Sequence, residues 1–163
     1  MPIYVSDSGL TNLKTELSRK WREYDEICAE RTVAHALSGD GWHDNPHFNR
    51  LQQLEANKNR EIAELQRLIG TSVVIDPSSR ARDRVAIGAI VQLRITDLDS
   101  GDEIEQAWEI SGYNENEPYL RRLAYNSPLA APIIGLMPGE EVETRLPRGL
   151  ALIEILALLE KWP

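Results

Sequence analysis

A short glycine-rich stretch, Gly39 to Pro46, concentrates the side chains with the clearest capacity for chemistry. It contains Asp40 and Asp44, with His43 between them and His47 just beyond its end. Carboxylate oxygens are the ligands that Mg²⁺ prefers, whereas imidazole nitrogens suit transition metals. Because a proline separates the two histidines and begins a new helix, they need not share a face. The residues therefore favour a hard-cation role over a dedicated zinc site.

The same stretch also suits an ordinary turn, and the residues alone favour that interpretation. Asp40 stands beside glycine, which is common turn chemistry, and Asp44 and Asn45 precede Pro46 as N-cap residues often do. Trp42 would be an exposed indole at this turn. It could stack on a nucleobase, wedge into a channel or cover the end of the turn.

Two helical patterns flank the stretch and would position it. Ser6 is a suitable N-cap for the first helix, and Gly70 is a suitable C′ residue for the second. Mostly apolar residues recur between them at spacings of three and four: Leu10, Leu13, Leu17, Trp21, Tyr24, Ile27 or Cys28 and Arg31, then Phe48, Leu51, Leu54, Lys58, Ile62, Leu65 and Leu68 or Ile69. This pattern predicts an antiparallel coiled-coil hairpin of two helices, each roughly 25–30 residues and about 40–45 Å long.

The second half of the chain changes to strand periodicity. Residues 77–83 have the composition of a linker, which predicts a hairpin domain at 1–76 and a second domain at 84–163. Ser127 and Pro128 suit the start of a short helix that ends before Gly135. Strands are predicted at 73–76, 85–96, 104–112, 119–125, 141–146 and 150–158. The expected fold class is α+β, with the helical hairpin followed by an antiparallel β-sheet domain that carries one short helix.

Composition narrows the function classes. Lys and Arg number 18 against 26 Asp and Glu, a net charge of −8, which argues against broad electrostatic binding of nucleic acid but not against a partner protein with a basic channel. The single cysteine, Cys28, excludes an internal disulfide and fits a reducing, cytoplasmic setting. We see no signal peptide, and the most apolar stretch, 149–159, is too short to span a bilayer. His35, near the end of the first helix, is expected to have a capping or solvent role.

In layout and motifs the chain resembles the Gre family of bacterial transcription elongation factors. The tip signature of that family, Gly-Asp followed by Glu-Asn-x-x-Tyr, is similar to Gly39-Asp40 followed by Asp44-Asn45-x-x-Phe48. Further matching segments occur in the same order along nearly the whole chain: Ser6-x-x-Gly9-Leu10, Val74-Ile75-Asp76, Ile110-Ser111-Gly112-Tyr113, Asn126-Ser127-Pro128-Leu129-Ala130, Ile133-Ile134-Gly135 and Pro147-x-Gly149.

The resemblance implies that the sheet domain has FKBP-like topology and docks at the rim of the secondary channel of RNA polymerase. The implied docking residues are Asn126, Ser127 and Pro128. The hairpin would enter the channel, where Asp40 and Asp44 would help to hold a Mg²⁺ shared with the polymerase active site. The polymerase itself would then cut backtracked RNA, so that this chain would be an accessory factor with no cofactor of its own. Other tip contacts would come from Trp42, His43 and Asn45.

The tip departs from the family pattern. The family has two residues between its two acids, whereas three residues separate Asp40 from Asp44, and His47 stands where the family has a further acid. Three hypotheses follow: a factor that stimulates cleavage, a channel-binding relative that regulates or inhibits polymerase without cleavage, and a binding protein for another partner that uses the hairpin as a spacer.

Overall fold

Two long helices and seven strands account for most of the chain in the computed structural model, which describes residues 1–163. They form two compact units, one of Met1–Ile3 with Leu10–Ser72 and one of Tyr4–Gly9 with Val73–Pro163. The elements are β1 (Ile3–Val5), α1 (Asp7–Ser38), α2 (Pro46–Thr71), β2 (Ser72–Val74), β3 (Ile90–Asp97), β4 (Glu103–Ser111), β5 (Arg122–Ala124), β6 (Glu141–Leu146) and β7 (Gly149–Leu159). The predicted α+β architecture, a helical hairpin followed by a curled sheet domain, is confirmed.

Side-chain hydroxyl groups cap the first turn of α1 and the last turn of α2. Ser6 caps α1 as predicted, because its Oγ accepts the Gly9 N–H at 2.9 Å. Helix α2 continues through Gly70, so the prediction that this glycine ends the helix is wrong. Thr71 and Ser72 donate their hydroxyl protons to carbonyls of the last turn, at 3.0 Å and 2.7 Å, and this satisfies acceptors without a left-handed residue.

The seam between α1 and α2 is apolar towards its ends and charged in its middle. Leu54, which the heptad pattern places in the seam, is 38% exposed, so that assignment is wrong. Glu55 faces α1 instead, and its Oε2 lies 3.0 Å from Arg31 Nε. The pattern drifts because a straight helix has 3.6 residues per turn and does not keep a strict heptad register. The buried residues of α2 are Phe48, Leu51, Ile62 and Leu68.

The sheet domain is built on a five-stranded sheet in the order β5-β4-β3-β7-β6. The predicted hairpins of β3 with β4 and of β6 with β7 are both present and antiparallel. The central strand β3 aligns Leu93 with Gln106 on one side and with Ile155 on the other. The side chains of the inner face form the core, which contains Val85, Val91, Leu93, Ile110, Ala130, Ile133, Ile153 and Ile155.

Two details of the sheet domain correct the sequence prediction. Strand β5 runs parallel to β4, so the sheet is not antiparallel throughout; the loop 112–121 carries the chain around the edge before it pairs again. The predicted short helix after Ser127 is only a 3₁₀ turn, Ala131–Ile133. Pro132 lies within it and has no N–H to donate to a longer helical ladder.

Neither of the two long helices is apolar enough over a sufficient length to cross a bilayer.

Candidate functional site

The acidic stretch folds as a 3₁₀ turn, Gly39–Asp44, between α1 and α2. Gly39 adopts a φ of +57°, which permits the reversal out of α1, and Gly41 kinks the turn. Side chains three residues apart share a face of a 3₁₀ helix, whereas side chains four apart do not. Gly41 has non-helical dihedral angles (φ −93°, ψ 15°), so the path between Asp40 and Asp44 is not a regular 3₁₀ helix and its periodicity does not set their relative orientation.

Both carboxylates of the turn are exposed and unpaired. Asp40 and Asp44 make no hydrogen bond or ion pair within the chain. No group of three or more His, Cys, Asp or Glu side chains is placed to hold a metal ion, so His43 and His47 do not complete a chelating centre with them. Two free carboxylates fit a hard cation that takes most of its ligands from another molecule and from water.

Trp42 is half-buried, so the prediction of an exposed indole is wrong. Its ring centroid lies 5.2 Å from that of Phe48 and 5.4 Å from that of His35. The imidazole of His43 meets it edge-on at 4.7 Å. His35 is exposed, as the solvent role expected for it implies, and its imidazole also contacts the rings of Trp42 and Phe48. The indole closes the hairpin end over the small apolar cluster formed by Ala34, Phe48 and Leu51.

Asn45 joins the two helix ends. Its Oδ1 accepts the N–H groups of His47 at 3.0 Å and Phe48 at 3.5 Å, which makes it the N-cap of α2. Its Nδ2 donates to Ser38 Oγ, and that hydroxyl donates to the Ala34 carbonyl at 2.8 Å. Asn45 is also an expected tip contact for the partner, and in the chain itself its amide caps α2 and bonds Ser38.

Sequence reasoning missed two residues of this site. Ser38 has no place in the apolar pattern, and only its position before Gly39 could have drawn attention to it. Glu30 looks like any solvated helix acid, yet its Oε1 lies 3.4 Å from His47 Nε2 on the other helix. Both contacts depend on the path of the turn, which residue spacing does not specify.

The predicted docking residues lie in the sheet unit and differ in exposure. Asn126 and Pro128 are exposed, whereas Ser127 is 9% exposed. The Asn126 amide exchanges two hydrogen bonds with Asn114, accepting the backbone N–H at 3.0 Å and donating to Oδ1 at 2.8 Å. Ser127 Oγ accepts the Ala130 N–H at 3.2 Å, so this serine shapes the loop and its neighbours present the surface.

Known proteins resemble this chain over nearly its full length. The family model for the C-terminal domain of the transcription elongation factors GreA and GreB matches residues 79–159. The transcription elongation factor GreA of Acidiphilium cryptum is 33% identical over 154 residues, covering 94% of this chain and 95% of that one. The GreA of a Nitratiruptor species is 32% identical over 157 residues, covering 96% and 93%. The crystal structure of GreA factor homolog 1 of Thermus thermophilus aligns at 17% identity and a TM-score of 0.44, covering 98% and 99%.

Proposed function

The chain belongs to the GreA/GreB family of transcription elongation factors, and from that membership we propose that it acts on bacterial RNA polymerase. The hairpin enters the secondary channel of the polymerase. There its acidic tip stimulates the cleavage of backtracked RNA, a reaction that the polymerase itself catalyses.

One observation carries this proposal: the tip carboxylates are free, whereas carboxylates in the hairpin seam are paired. Glu23 and Glu61 both accept from Lys58, at 2.7 Å and 3.0 Å. Asp40 and Asp44 have no such partner and face solvent at the end of the hairpin. Unpaired carboxylates gain no folding stability from ion pairing, and their exposure suits a ligand that the chain meets outside itself.

The residues of the tip fit a magnesium ion that is shared with another protein. Mg²⁺ usually keeps several waters and binds through one or two carboxylates together with substrate phosphates. Asp40 and Asp44 would provide the carboxylates, while the polymerase would provide the remaining protein ligands. Such an ion supplies an activated water for phosphodiester cleavage. The contribution of this chain is to carry the two carboxylates to that place and hold them there.

Docking falls to the sheet domain in this proposal. Asn126 and Pro128 are exposed on a loop that Ser127 and Asn114 fix by hydrogen bonds, so the loop is prepared for contact before binding. We propose that this loop rests on the rim of the channel. The net charge of −8 suits entry of the chain into a basic channel.

A second function has its own support in the turn. Three residues separate Asp40 from Asp44, one more than in the family pattern, and Gly41 kinks the turn between them. Displacement of a catalytic group by about 1 Å can cost roughly 10²-fold in rate. The alternative function is therefore a channel-occupying regulator that slows nucleotide addition and does not stimulate cleavage.

A transcript-cleavage assay on stalled, backtracked polymerase separates the two functions. The chain is expected to shorten the RNA, and the double variant Asp40→Asn/Asp44→Asn is expected to lose roughly 10²-fold of that stimulation while it still binds the polymerase. The matched control is Asp25→Asn, which neutralises an exposed acid of α1 away from the tip.

Two results would redirect the conclusion. Full stimulation by the double variant would exclude the carboxylate mechanism. No shortening by the wild-type chain, together with slower nucleotide addition, would establish the channel-occupying regulator instead.

A further inference from the structure

We propose that Trp42 is a positioning residue, whose indole is held by His35 and Phe48 and thereby fixes the conformation of the acidic turn. The three rings are called the tip ring cluster below. The inference rests on the proposed function for what Asp40 and Asp44 do. Its structural part stands on the geometry of the rings.

Each ring of the tip ring cluster comes from a different element. His35 belongs to α1, Trp42 to the 3₁₀ turn and Phe48 to α2. All three pairs of centroids lie within contact range: 5.2 Å for Trp42 with Phe48, 5.4 Å for His35 with Trp42 and 5.7 Å for His35 with Phe48. Tilted and edge-on aromatic pairs at these separations are attractive. The cluster therefore ties the turn to both helices at one point.

Trp42 lies two residues from each of the two carboxylates in the sequence. Contacts that hold the indole therefore also restrict the positions of Asp40 and Asp44. Its carbonyl oxygen accepts the Asn45 N–H at 3.2 Å, directly before α2. Asn45 in turn caps α2 through its own side chain. A movement of the indole would therefore displace the backbone at Asp44 and disturb the N-cap of α2.

The packing of Trp42 depends on His35, because a cavity rather than other side chains lies beside the tip ring cluster at this point. A cavity of about 220 Å³ is lined by Arg31, Thr32, His35 and Phe48. Removal of the imidazole would enlarge this space without forcing any neighbour to move. The indole would then lose one of its two supports from the helices and gain freedom to leave its position.

The competing reading is that the indole contacts the polymerase or its RNA directly. The two readings differ in what His35→Ala does. If Trp42 acts by positioning, His35→Ala reproduces most of the loss caused by Trp42→Ala, and the double variant is little worse than either alone. If Trp42 acts by direct contact, His35→Ala leaves activity intact and only Trp42→Ala loses it. Trp42→Phe keeps a ring and is expected to restore most of the function.

Hydrogen exchange at the Asn45 and Phe48 amides gives a readout that does not require activity. Trp42→Ala and His35→Ala are each expected to speed exchange at these amides by roughly threefold to tenfold, the range for a lost aromatic contact. Trp42→Phe is expected to stay near the wild type. The matched control is Leu37→Ala, at a side chain that is 83% exposed on the last turns of α1, and it should leave the exchange unchanged.

The outcomes separate this inference from the proposed function. Unchanged exchange in Trp42→Ala and His35→Ala would overturn the positioning role even if the acidic turn proves essential for RNA cleavage. Faster exchange together with undiminished cleavage would overturn it as well. If the wild-type chain stimulates no cleavage, the proposed function fails, and exchange still decides whether the tip ring cluster fixes the turn.

Discussion

The helical hairpin and the sheet domain differ in what fills their centres. The inner face of the sheet is fully apolar at its centre, where Leu93, Ile153 and Ile155 are each 0% exposed. The middle of the hairpin seam carries charge instead, with Lys58 bonded to Glu23 across the two helices at 2.7 Å. A two-helix hairpin has too little interior to bury a continuous apolar core, so its long charged side chains cover the seam and pair over it.

This difference suits the work proposed for each region. A densely packed sheet is expected to keep the loop proposed for docking, 126–128, in one conformation, because close-packed interiors resist small deformations. In the proposed function the hairpin needs an accurately fixed conformation chiefly at its tip, where Asp40 and Asp44 lie. The tip ring cluster supplies that structure locally, where the apolar seam ends at Phe48.

The largest expected effect comes from truncation of a buried isoleucine in the sheet core. Ile153→Ala removes a fully buried side chain from the central packing and should lower the free energy of unfolding of the sheet unit by about 2–5 kcal/mol. The same substitution in the hairpin, Ile62→Ala, should cost less, because neighbouring side chains on a thin rod can close over the space. Urea unfolding followed through amide signals of β3 and α2 measures the two regions separately.

The matched control on the sheet is Ile104→Ala. This isoleucine is 50% exposed, so its truncation should cost below about 1 kcal/mol. Equal losses from Ile153→Ala and Ile62→Ala would contradict the contrast between the regions.

A second, smaller effect concerns two helical glycines with opposite surroundings. A Cβ on Gly9 would lie 1.8 Å from Glu115 Oε1, the oxygen that also accepts the Ser6 N–H at 2.9 Å. Gly9→Ala should therefore cost about 1–3 kcal/mol, as overpacking does. Gly70 has nothing within 4 Å of its ideal Cβ, and Gly70→Ala should stabilise α2 by about 0.5–1 kcal/mol. Thermal unfolding of both variants gives the signs directly.

The double variant Gly9→Ala/Glu115→Ala tests the cause. Glu115→Ala alone loses the hydrogen bonds to Ser6 and Gly112. If the clash with Glu115 explains the stability lost in Gly9→Ala, adding Gly9→Ala to Glu115→Ala should lower the stability almost no further. A full additional cost would place the strain in the backbone instead.

The sequence predicts elements well and contacts at the tip poorly. The strand pairs β3–β4 and β6–β7 follow from alternation and turn residues, and Ser6 follows from capping chemistry. Strand β5 was misjudged in direction, because three residues carry no signal of parallel pairing. Trp42 was misplaced for a related reason: an indole in a glycine-rich turn shows no periodicity, and its burial depends on His35 and Phe48 from separate helices. Local patterns do not encode such three-element contacts.

The smallest expected effect is a pH and salt dependence of stability that is larger in the hairpin than in the sheet unit. The hydrogen bond from Lys58 holds the pKa of Glu23 below its usual value, and bonds from Lys20 and then Lys58 lower the pKa of Glu61. Glu23 in turn raises the pKa of Lys58. Lowered carboxylate pKa values stabilise the fold above the unfolded value of about 4.3 and lose that stability as the pH falls through the folded values. The raised pKa of Lys58 stabilises the fold below the unfolded value of about 10.4. That stability is lost as the pH rises through the folded value.

Hairpin stability should therefore be highest across neutral pH and fall on both sides, while the sheet unit changes less over the same range. Lys58→Met keeps the apolar stem and removes the charge, so it should flatten the acid limb for α2 and weaken its response to added salt. The change in stability caused by Lys58→Met should be smaller than that caused by Gly9→Ala, because partly exposed ion pairs are screened by water. Urea midpoints at pH 7 and pH 3, with and without salt, measure it against Lys14→Met, which removes an exposed lysine of α1. If Lys14→Met flattened the profile as much as Lys58→Met, general charge would explain the effect and the paired seam would not.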